Sequence, residues 1–291
     1  MAGGFLFAKK NENLSNQKDI TLQKTLTEKS YESQTTTPLP TVTDPHLQIL
    51  REEPLQKLPS GITVKVPIFM YHHIREFTEK MTPMARGLSV TPESLEKQLS
   101  YFNDEKYASL TLDQLFHSIS SEQIPQKKSV VFTFDDGYRD FYQNAYPLFK
   151  KYNFHAIIFL IASDLGAPDY LTWDQIHEMD TSGLIEFGSH TLTHAELSKE
   201  SVDEQKKQIA ESKKLLEKKL GKKITFFCYP YGKYTNVTMQ LVQDAGYAGA
   251  LTTHFGVSHG LSNMYEIPRV RIGDGDVDEH LQKKMKTLLG L

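Results

Sequence analysis

Lys128-Ser129-Val130-Val131-Phe132-Thr133-Phe134-Asp135-Asp136-Gly137 is the stretch on which the reading of the whole chain turns. Its β-branched and aromatic residues, with few polar interruptions, have the composition of a strand buried in a parallel α/β sheet. Gly137 breaks the run. At the C-terminal end of such a strand the chain turns, so Asp135 and Asp136 need not stay on opposite faces. Both can approach one site, at the end of the sheet where α/β folds place ligands. Two adjacent carboxylates at the end of a buried strand call for charge compensation, because burying either one unpaired is costly.

A second fragment supplies that compensation when joined by a cation. Ile185-Glu186-Phe187-Gly188-Ser189 reads as another short strand, and it runs into His190-Thr191-Leu192-Thr193-His194. Two imidazoles four residues apart can reach one ion from a helical turn or a tight loop. With one carboxylate they form an open ligand set for a divalent first-row metal, as catalytic sites require. The other aspartate is then free to act as a base. Taken singly, Asp-Asp-Gly is an ordinary turn and His-x-x-x-His an ordinary solvated pair; their joint occurrence at strand ends makes the case.

Outward from these two fragments the chain alternates strand and helix. Strands are expected over 64–70, 130–134, 156–161, 185–189, 225–229, 248–252 and 266–272. Helices are expected over 92–103, 112–119, 139–151, 173–179, 202–220, 236–245 and 277–289. Such alternation argues for a parallel sheet with crossover helices, open or closed.

The ordered motifs resemble the NodB-like polysaccharide deacetylases, carbohydrate esterase family 4. They are Val66-Pro67-Ile68-Phe69-Met70-Tyr71-His72-His73, the Thr133–Gly137 segment, Leu171-Thr172-Trp173-Asp174-Gln175, the segment from Gly183 to His194, and Cys228-Tyr229-Pro230-Tyr231-Gly232. The resemblance implies an α/β fold, a distorted, incomplete (β/α)7 barrel with the motifs at its C-terminal face. It implies that Asp136, His190 and His194 hold the metal and that Asp135 is the general base, taking a proton from a water the metal has acidified. The backbone N–H of Tyr231 would stabilise the oxyanion.

Two family features are missing. No Leu-x-His motif stands near the C-terminus to supply the acid, and Cys228-Tyr229 occupies the place of an arginine expected before the Pro-Tyr segment. Tyr71-His72-His73 instead resembles the circularly permuted branch that deacetylates poly-N-acetylglucosamine, where the acid comes from this first strand. His72 is the candidate acid and His73 the second choice, since neighbours on a strand face opposite ways. Arg269, or Arg271 on the same strand face, is a candidate to replace the arginine; an ordinary solvated edge is the alternative. Trp173 reads as helix packing rather than a sugar platform.

The resemblance implies hydrolytic N-deacetylation of an N-acetylglucosamine-containing polysaccharide: poly-N-acetylglucosamine first, then peptidoglycan or chitin-like polymers. The alternatives are a polysaccharide O-acetyl esterase and a catalytically silent glycan-binding barrel. Zinc is the default metal, with cobalt, nickel or iron compatible with the same ligands. A net charge of -3 gives no electrostatic case for nucleic acid. The single cysteine, Cys228, excludes an internal disulfide and a cysteine-rich zinc knuckle.

Residues 1–62 differ in composition from the rest, with Ser, Thr, Gln, Asn and Lys over 9–43 and then Pro38, Pro40, Pro45, Pro54 and Pro59. They read as a flexible extension before a catalytic domain over 63–291. The apolar start, residues 1–8, lacks a basic region and is shorter than a signal core; it reads as the remnant of a trimmed signal or anchor. No run is long enough to span a bilayer. A polar tether ahead of a glycan-active domain suggests an extracytoplasmic or cell-surface enzyme.

Overall fold

The computed structural model describes residues 56–57, 63–121, 123–125 and 128–290. The extension expected over 1–62 therefore lies outside the described residues, save Gln56–Lys57, which pairs antiparallel with Gln123–Ile124. Seven strands form the barrel: β1 (Ile68–Tyr71), β2 (Ser129–Phe134), β3 (Ala156–Leu160), β4 (Ile185–Ser189), β5 (Phe226–Cys228), β6 (Gly249–Phe255) and β7 (Ile267–Arg271). Each runs parallel to the next. The ring closes where β7 pairs with β1, Val270 opposite Phe69 and Arg271 opposite Met70. This is the seven-stranded barrel expected from the resemblance. Its distortion shows in the β4–β5 seam, joined only at Ser189 and Phe227, and in a register shift between β6 and β7.

Among the described residues seven helices of at least seven residues accompany the strands: α1 (Pro92–Asp104), α2 (Leu112–Ser120), α3 (Tyr146–Tyr152), α4 (Trp173–Thr181), α5 (Val202–Leu220), α6 (Asn236–Asp244) and α7 (Asp278–Leu289), besides a short turn of helix at Pro83–Gly87. Their starts are written in the sequence. Thr111, Thr172 and Thr235 each form a capping box, and Ser201 accepts from the Glu204 N–H, so N–H groups that lack intrahelical partners are satisfied. Trp173 packs against the core as expected, with the Lys219 ammonium 5.4 Å from its ring centroid.

Both faces of the strands are largely buried, and on every barrel strand but β4 they contribute to different cores. On β2, Val130, Phe132 and Phe134 face outward into the layer with Leu99 and Phe102 of α1 and Phe149 of α3. Phe102 lies 5.4 Å from Phe69 and 5.5 Å from Phe132, centroid to centroid, and Phe132 lies 5.4 Å from Phe149. Each such ring contributes about 1.5–3 kcal/mol through burial. Val131 faces inward with Ile68, Ile157, Phe159, Phe226, Leu251 and Ile267. Leu112, Leu115, Phe116 and Ile119 join this inner cluster, so α2 plugs one end of the barrel. The fit there is tight: a Cβ on Gly249 would lie 2.1 Å from the Phe116 ring.

Two expected elements resolve differently. The strand expected over 64–70 splits at Pro67, which has no N–H for a ladder. Val64–Lys65 pairs antiparallel with Ser258–His259, while β1 begins at Ile68. The helix expected over 139–151 begins as a wide π turn, Phe141–Ala145, closed by the Tyr146 N–H on the Phe141 carbonyl, before α3 starts. Pro147 cannot donate to the carbonyl four residues back, and the widened turn precedes it.

Candidate active site

Counting along the inward positions of the strands reaches the site. The series Ile68 and Met70 on β1 leads to His72, and Val131 and Thr133 on β2 to Asp135. Glu186 and Gly188 on β4 lead to His190, Phe226 on β5 to Cys228, and Ile267 on β7 to Arg269. Alternation therefore delivers five polar side chains from five strands to one end of the barrel. Asp136 would alternate away, but its φ of 77° turns the chain and swings it back toward the two histidines. Thr191 and His194 also have positive φ, 68° and 59°. For a β-branched residue such as Thr191 that conformation is strained, as functional loops often are.

Asp136, His190 and His194 come together as expected. The Nε2 atoms of His190 and His194 each lie 3.4 Å from Asp136 Oδ1. That oxygen is buried and has no hydrogen-bond partner among the described residues. His190 Nδ1–H donates to the Cys228 carbonyl at 2.8 Å, which leaves its Nε2 lone pair aimed at Asp136. Burial pushes both imidazoles below their ordinary pKa and Asp136 above its own. Unprotonated imidazoles beside a buried, unpartnered carboxylate oxygen are unfavourable alone and suited to a cation. The three residues fit a divalent metal. Asp135, His190 and Cys228 also bring ligand atoms close together. A guanidinium fills that space: Arg269 Nη2 lies 3.1 Å from Cys228 Sγ, and burial keeps the thiol protonated.

Arg269 is fully buried and makes a two-pronged contact with Asp135, Nη1 to Oδ1 at 2.8 Å and Nη2 to Oδ2 at 2.7 Å. It also donates to the Thr252 carbonyl and the Thr133 hydroxyl. Burial alone would raise the Asp135 carboxyl, but the Arg269 guanidinium outweighs it and holds the group well below the usual carboxylate range. The counterion thus comes from β7, and the solvated-edge alternative does not apply to Arg269. Arg271, two residues on, is exposed and donates to the Gly87 carbonyl.

His72 and His73 part company as strand neighbours should. His72 Nε2 lies 3.9 Å from Asp135 Oδ2, and burial lowers its pKa to about 4. His73 Nδ1 instead sits 2.7 Å from Asp140 Oδ2, whose other oxygen accepts the Ile74 N–H. Tyr231 occupies a left-handed backbone position, φ 58°, with its ring centroid 4.6 Å from that of His194. Two participants escaped the sequence reading. Tyr138 stacks on His73 with ring centroids 3.6 Å apart, and its phenol favours the ionised form of the Asp136 carboxyl. Asp140 anchors His73. Tyr138 follows the Asp-Asp-Gly turn directly, which is the one signal that could have marked it.

Comparisons with known proteins agree with this geometry. Residues 122–250 match the family model described as polysaccharide deacetylase, a span that contains Asp135, Asp136, His190 and His194 but not His72 or Arg269. YxkH of Bacillus subtilis (strain 168), named as a polysaccharide deacetylase, is 35% identical over 211 residues, 72% of each chain. The poly-beta-1,6-N-acetyl-D-glucosamine N-deacetylase of Staphylococcus aureus (strain MRSA252) is 30% identical over 212 residues, 68% of this chain and 72% of the other. The solved structure of the Streptococcus pyogenes deacetylase PplD in complex with acetate superposes with a TM-score of 0.70 at 33% identity, covering 77% of this chain and 99% of that one. With its barrel, its site and these relatives in agreement, the chain belongs to the polysaccharide deacetylase family.

Proposed function

We propose that this chain is a metal-dependent N-deacetylase of an N-acetylglucosamine-containing polysaccharide, with poly-β-1,6-N-acetylglucosamine as the favoured substrate. The observation that carries the reading is the unpartnered Asp136 Oδ1 faced by two imidazole nitrogens, beside a carboxylate held ionised by Arg269. The Staphylococcus aureus relative, named for that substrate, supports the polymer. Residues 63–291 are the catalytic domain in this reading, and a polymeric surface substrate places the enzyme outside the cytoplasm or at the cell surface. Among the described residues no helix is long and apolar enough to cross a membrane.

Asp136, His190 and His194 would hold the metal, with zinc as the default. A divalent ion there supplies Lewis acidity, making a water more acidic and polarising the acetamide carbonyl. Asp135 accepts the proton that the attacking water loses as its oxygen bonds to the acyl carbon. Arg269 keeps Asp135 ionised and fixed, at some expense in intrinsic basicity. The Tyr231 N–H is assigned to the oxyanion. When the C–N bond breaks, the amine needs a proton, and His72 is assigned to deliver it. Because burial leaves His72 neutral near pH 7, its proton must be acquired during the reaction, and Asp135 Oδ2 at 3.9 Å is the nearby donor once protonated. Acetate and a free amine are the products.

The Arg269–Asp135 pair weighs against a catalytically silent barrel, since the counterion whose absence favoured that alternative is supplied from another strand. The test is acetate release from an acetylated glucosamine oligomer by metal-stripped protein, with zinc, cobalt or nickel restored, beside Asp135→Asn and His72→Ala. Restored activity in the parent and strong loss in both variants is expected. Loss of amide but not ester cleavage in His72→Ala would identify it as the acid, because the amine is the harder leaving group. No release with any metal would overturn the reading.

A further inference from the structure

The two histidines that face Asp136 are fixed in different ways. His190 is anchored twice: its N–H donates to the Leu160 carbonyl at 2.9 Å, and its ring Nδ1–H to the Cys228 carbonyl at 2.8 Å. No protein hydrogen bond reaches the His194 Nδ1 among the described residues, and that side chain is partly exposed. An imidazole that binds a metal is ordinarily aimed by a hydrogen bond on its other nitrogen. For His194 the aim must come from the backbone that carries it.

That backbone is strained. Thr191 and His194 both take left-handed φ, and such conformations persist where the neighbours over-determine them. On one side the N–H groups of Ala162 and Ser163, just beyond β3, donate to the Thr191 and Leu192 carbonyls. Past Leu192 that side makes no further backbone bond to the loop among the described residues. On the other side stands Gln208, on the buried face of α5. Its Oε1 accepts the Leu192 N–H at 3.1 Å and the Thr193 N–H at 3.0 Å. Its Nε2 donates to the Thr193 hydroxyl oxygen and to the Glu204 carboxylate, each at 2.9 Å. Two accepted and two donated bonds exhaust what a carboxamide can make, so the orientation of the amide is fixed. Thr193, which leads directly into His194, is gripped at two atoms. One turn further along α5 the Ser212 hydroxyl lies 2.8 Å from that of Ser189, tying the helix to the end of β4.

We propose that Gln208 is the positioning residue of His194: it holds the Thr193 backbone so that the imidazole faces Asp136 before any ion binds. The proposal rests on the metal-dependent reading above and assigns part of the metal affinity to a residue that hydrogen-bonds none of the three ligands. The demand on this position is chemical rather than steric. An apolar side chain of similar length would fill the space yet leave two N–H groups without their acceptor, and the loop would have to shift to satisfy them. His190, held by Leu160 and Cys228, would stay in place.

The experiment reads zinc affinity by competition with a chromophoric chelator, on metal-stripped full-length protein. Gln208→Met should weaken zinc binding by about 10- to 100-fold, the size of lost support for one metal ligand. His194→Ala separates positioning from general damage. In that background Gln208→Met should change the zinc Kd by less than about threefold, because the ligand it acts through is already gone. The exchange Glu204→Gln with Gln208→Glu keeps an acceptor for both N–H groups and a donor–acceptor pair along the helix, and should return the Kd to within about threefold of the parent. An unchanged Kd in Gln208→Met, or an equal loss with and without His194, overturns the proposal. Should Gln208→Met melt too low to titrate, Gln208→Glu decides: with Glu204 in place two carboxylates oppose each other at the clamp, and adding Glu204→Gln should restore zinc affinity. Equal affinities in those two variants overturn it. If the parent binds no zinc, the metal reading fails on its own, and amide hydrogen exchange reads the clamp directly. Faster exchange at Leu192, Thr193 and His194 in Gln208→Met, or in Gln208→Glu, with His190 still protected, upholds the positioning role, and unchanged protection overturns it.

Discussion

Replacing Arg269 with methionine tests the site at its electrostatic centre. Asp135 is 3% exposed and Arg269 1%, and the two prongs at 2.8 and 2.7 Å are the strong, charge-assisted kind. Methionine keeps much of the side-chain length and removes the charge, leaving a buried carboxylate without its cation. Breaking a buried pair in this way costs about 3–5 kcal/mol, and the orphaned Thr252 carbonyl adds about 1 kcal/mol. Urea unfolding at pH 7 should therefore show Arg269→Met less stable by about 4–6 kcal/mol. The pH dependence has a definite sign. In the parent the folded pKa of Asp135 is depressed, so its contribution is present above the ordinary carboxylate pKa and fades as pH falls through the folded value. In the variant, burial acts without the guanidinium and raises the folded pKa, so that chain regains stability as pH falls. The gap between the two must narrow toward acid pH, and the acid limb of kcat/KM in the variant must move upward. Asp135→Asn combined with Arg269→Met should recover at least about 2 kcal/mol over Arg269→Met alone while remaining inactive. A single variant costing under about 1 kcal/mol, or a double variant no more stable than the single, would refute the reasoning.

Other consequences are equally direct. Asp136→Asn should weaken zinc binding by at least about a hundredfold in competition with a chromophoric chelator; unchanged affinity would reject the ligand set. Gly188→Ala should cost about 1–3 kcal/mol or more, since the new Cβ would lie 2.5 Å from the Phe159 ring and 3.1 Å from the Phe226 carbonyl oxygen; an unshifted denaturation midpoint would contradict that packing. Burial pushes the Glu186 carboxyl from 4.5 up to about 7 while it accepts the Leu112 N–H at 3.0 Å. A raised carboxyl stabilises fully below its unfolded pKa and loses that contribution as pH rises through the folded value, so the parent should weaken between about pH 5 and 8 by no more than about 3 kcal/mol. Glu186→Gln, which keeps the acceptor, should flatten that slope in melting curves taken across the range.

The sequence was most legible where local chemistry marks both ends of an element. Helix α5 runs over the residues read for it because Ser201 caps its start and Gly221, at φ 68°, ends it. Strand β4 likewise has its expected limits, bounded by Gly183 before and the His190 turn after. The cluster of Asp136, His190 and His194 was legible because its three members stand at two strand ends with a diagnostic spacing. Alternation also said that only one of His72 and His73 could face the site. Which one depended on counting inward positions from Ile68, and inward has no meaning until the ring is closed. Arg269 lies 134 residues from Asp135, and no local pattern announces a contact made only when β7 reaches β1. Tyr138 was illegible for another reason: its partners, His73 at the strand just after β1 and Tyr170 in the loop before α4, are brought to it by paths that the strand pattern does not specify.

Ring closure also explains how an arginine expected before the Pro-Tyr segment can be replaced from a different strand. The inward position at the end of β5 and the one on β7 both face Asp135, so either can carry the cation, but not both. Cys228 keeps the β5 position small and uncharged, and Arg269 Nη2 reaches past it at 3.1 Å to grip Asp135. Cys228→Arg alone would bury a second guanidinium against one carboxylate and should fold poorly, by the cost of an unpaired buried charge. The exchange Cys228→Arg with Arg269→Cys restores one cation and one small side chain in swapped positions. If closure makes the two positions equivalent for Asp135, the exchanged protein should be more stable to urea and more active in acetate release than either single variant. If it is no better than both, Arg269 is tied to β7 by its contacts with Thr252 and Thr133 rather than by the carboxylate, and the equivalence is wrong.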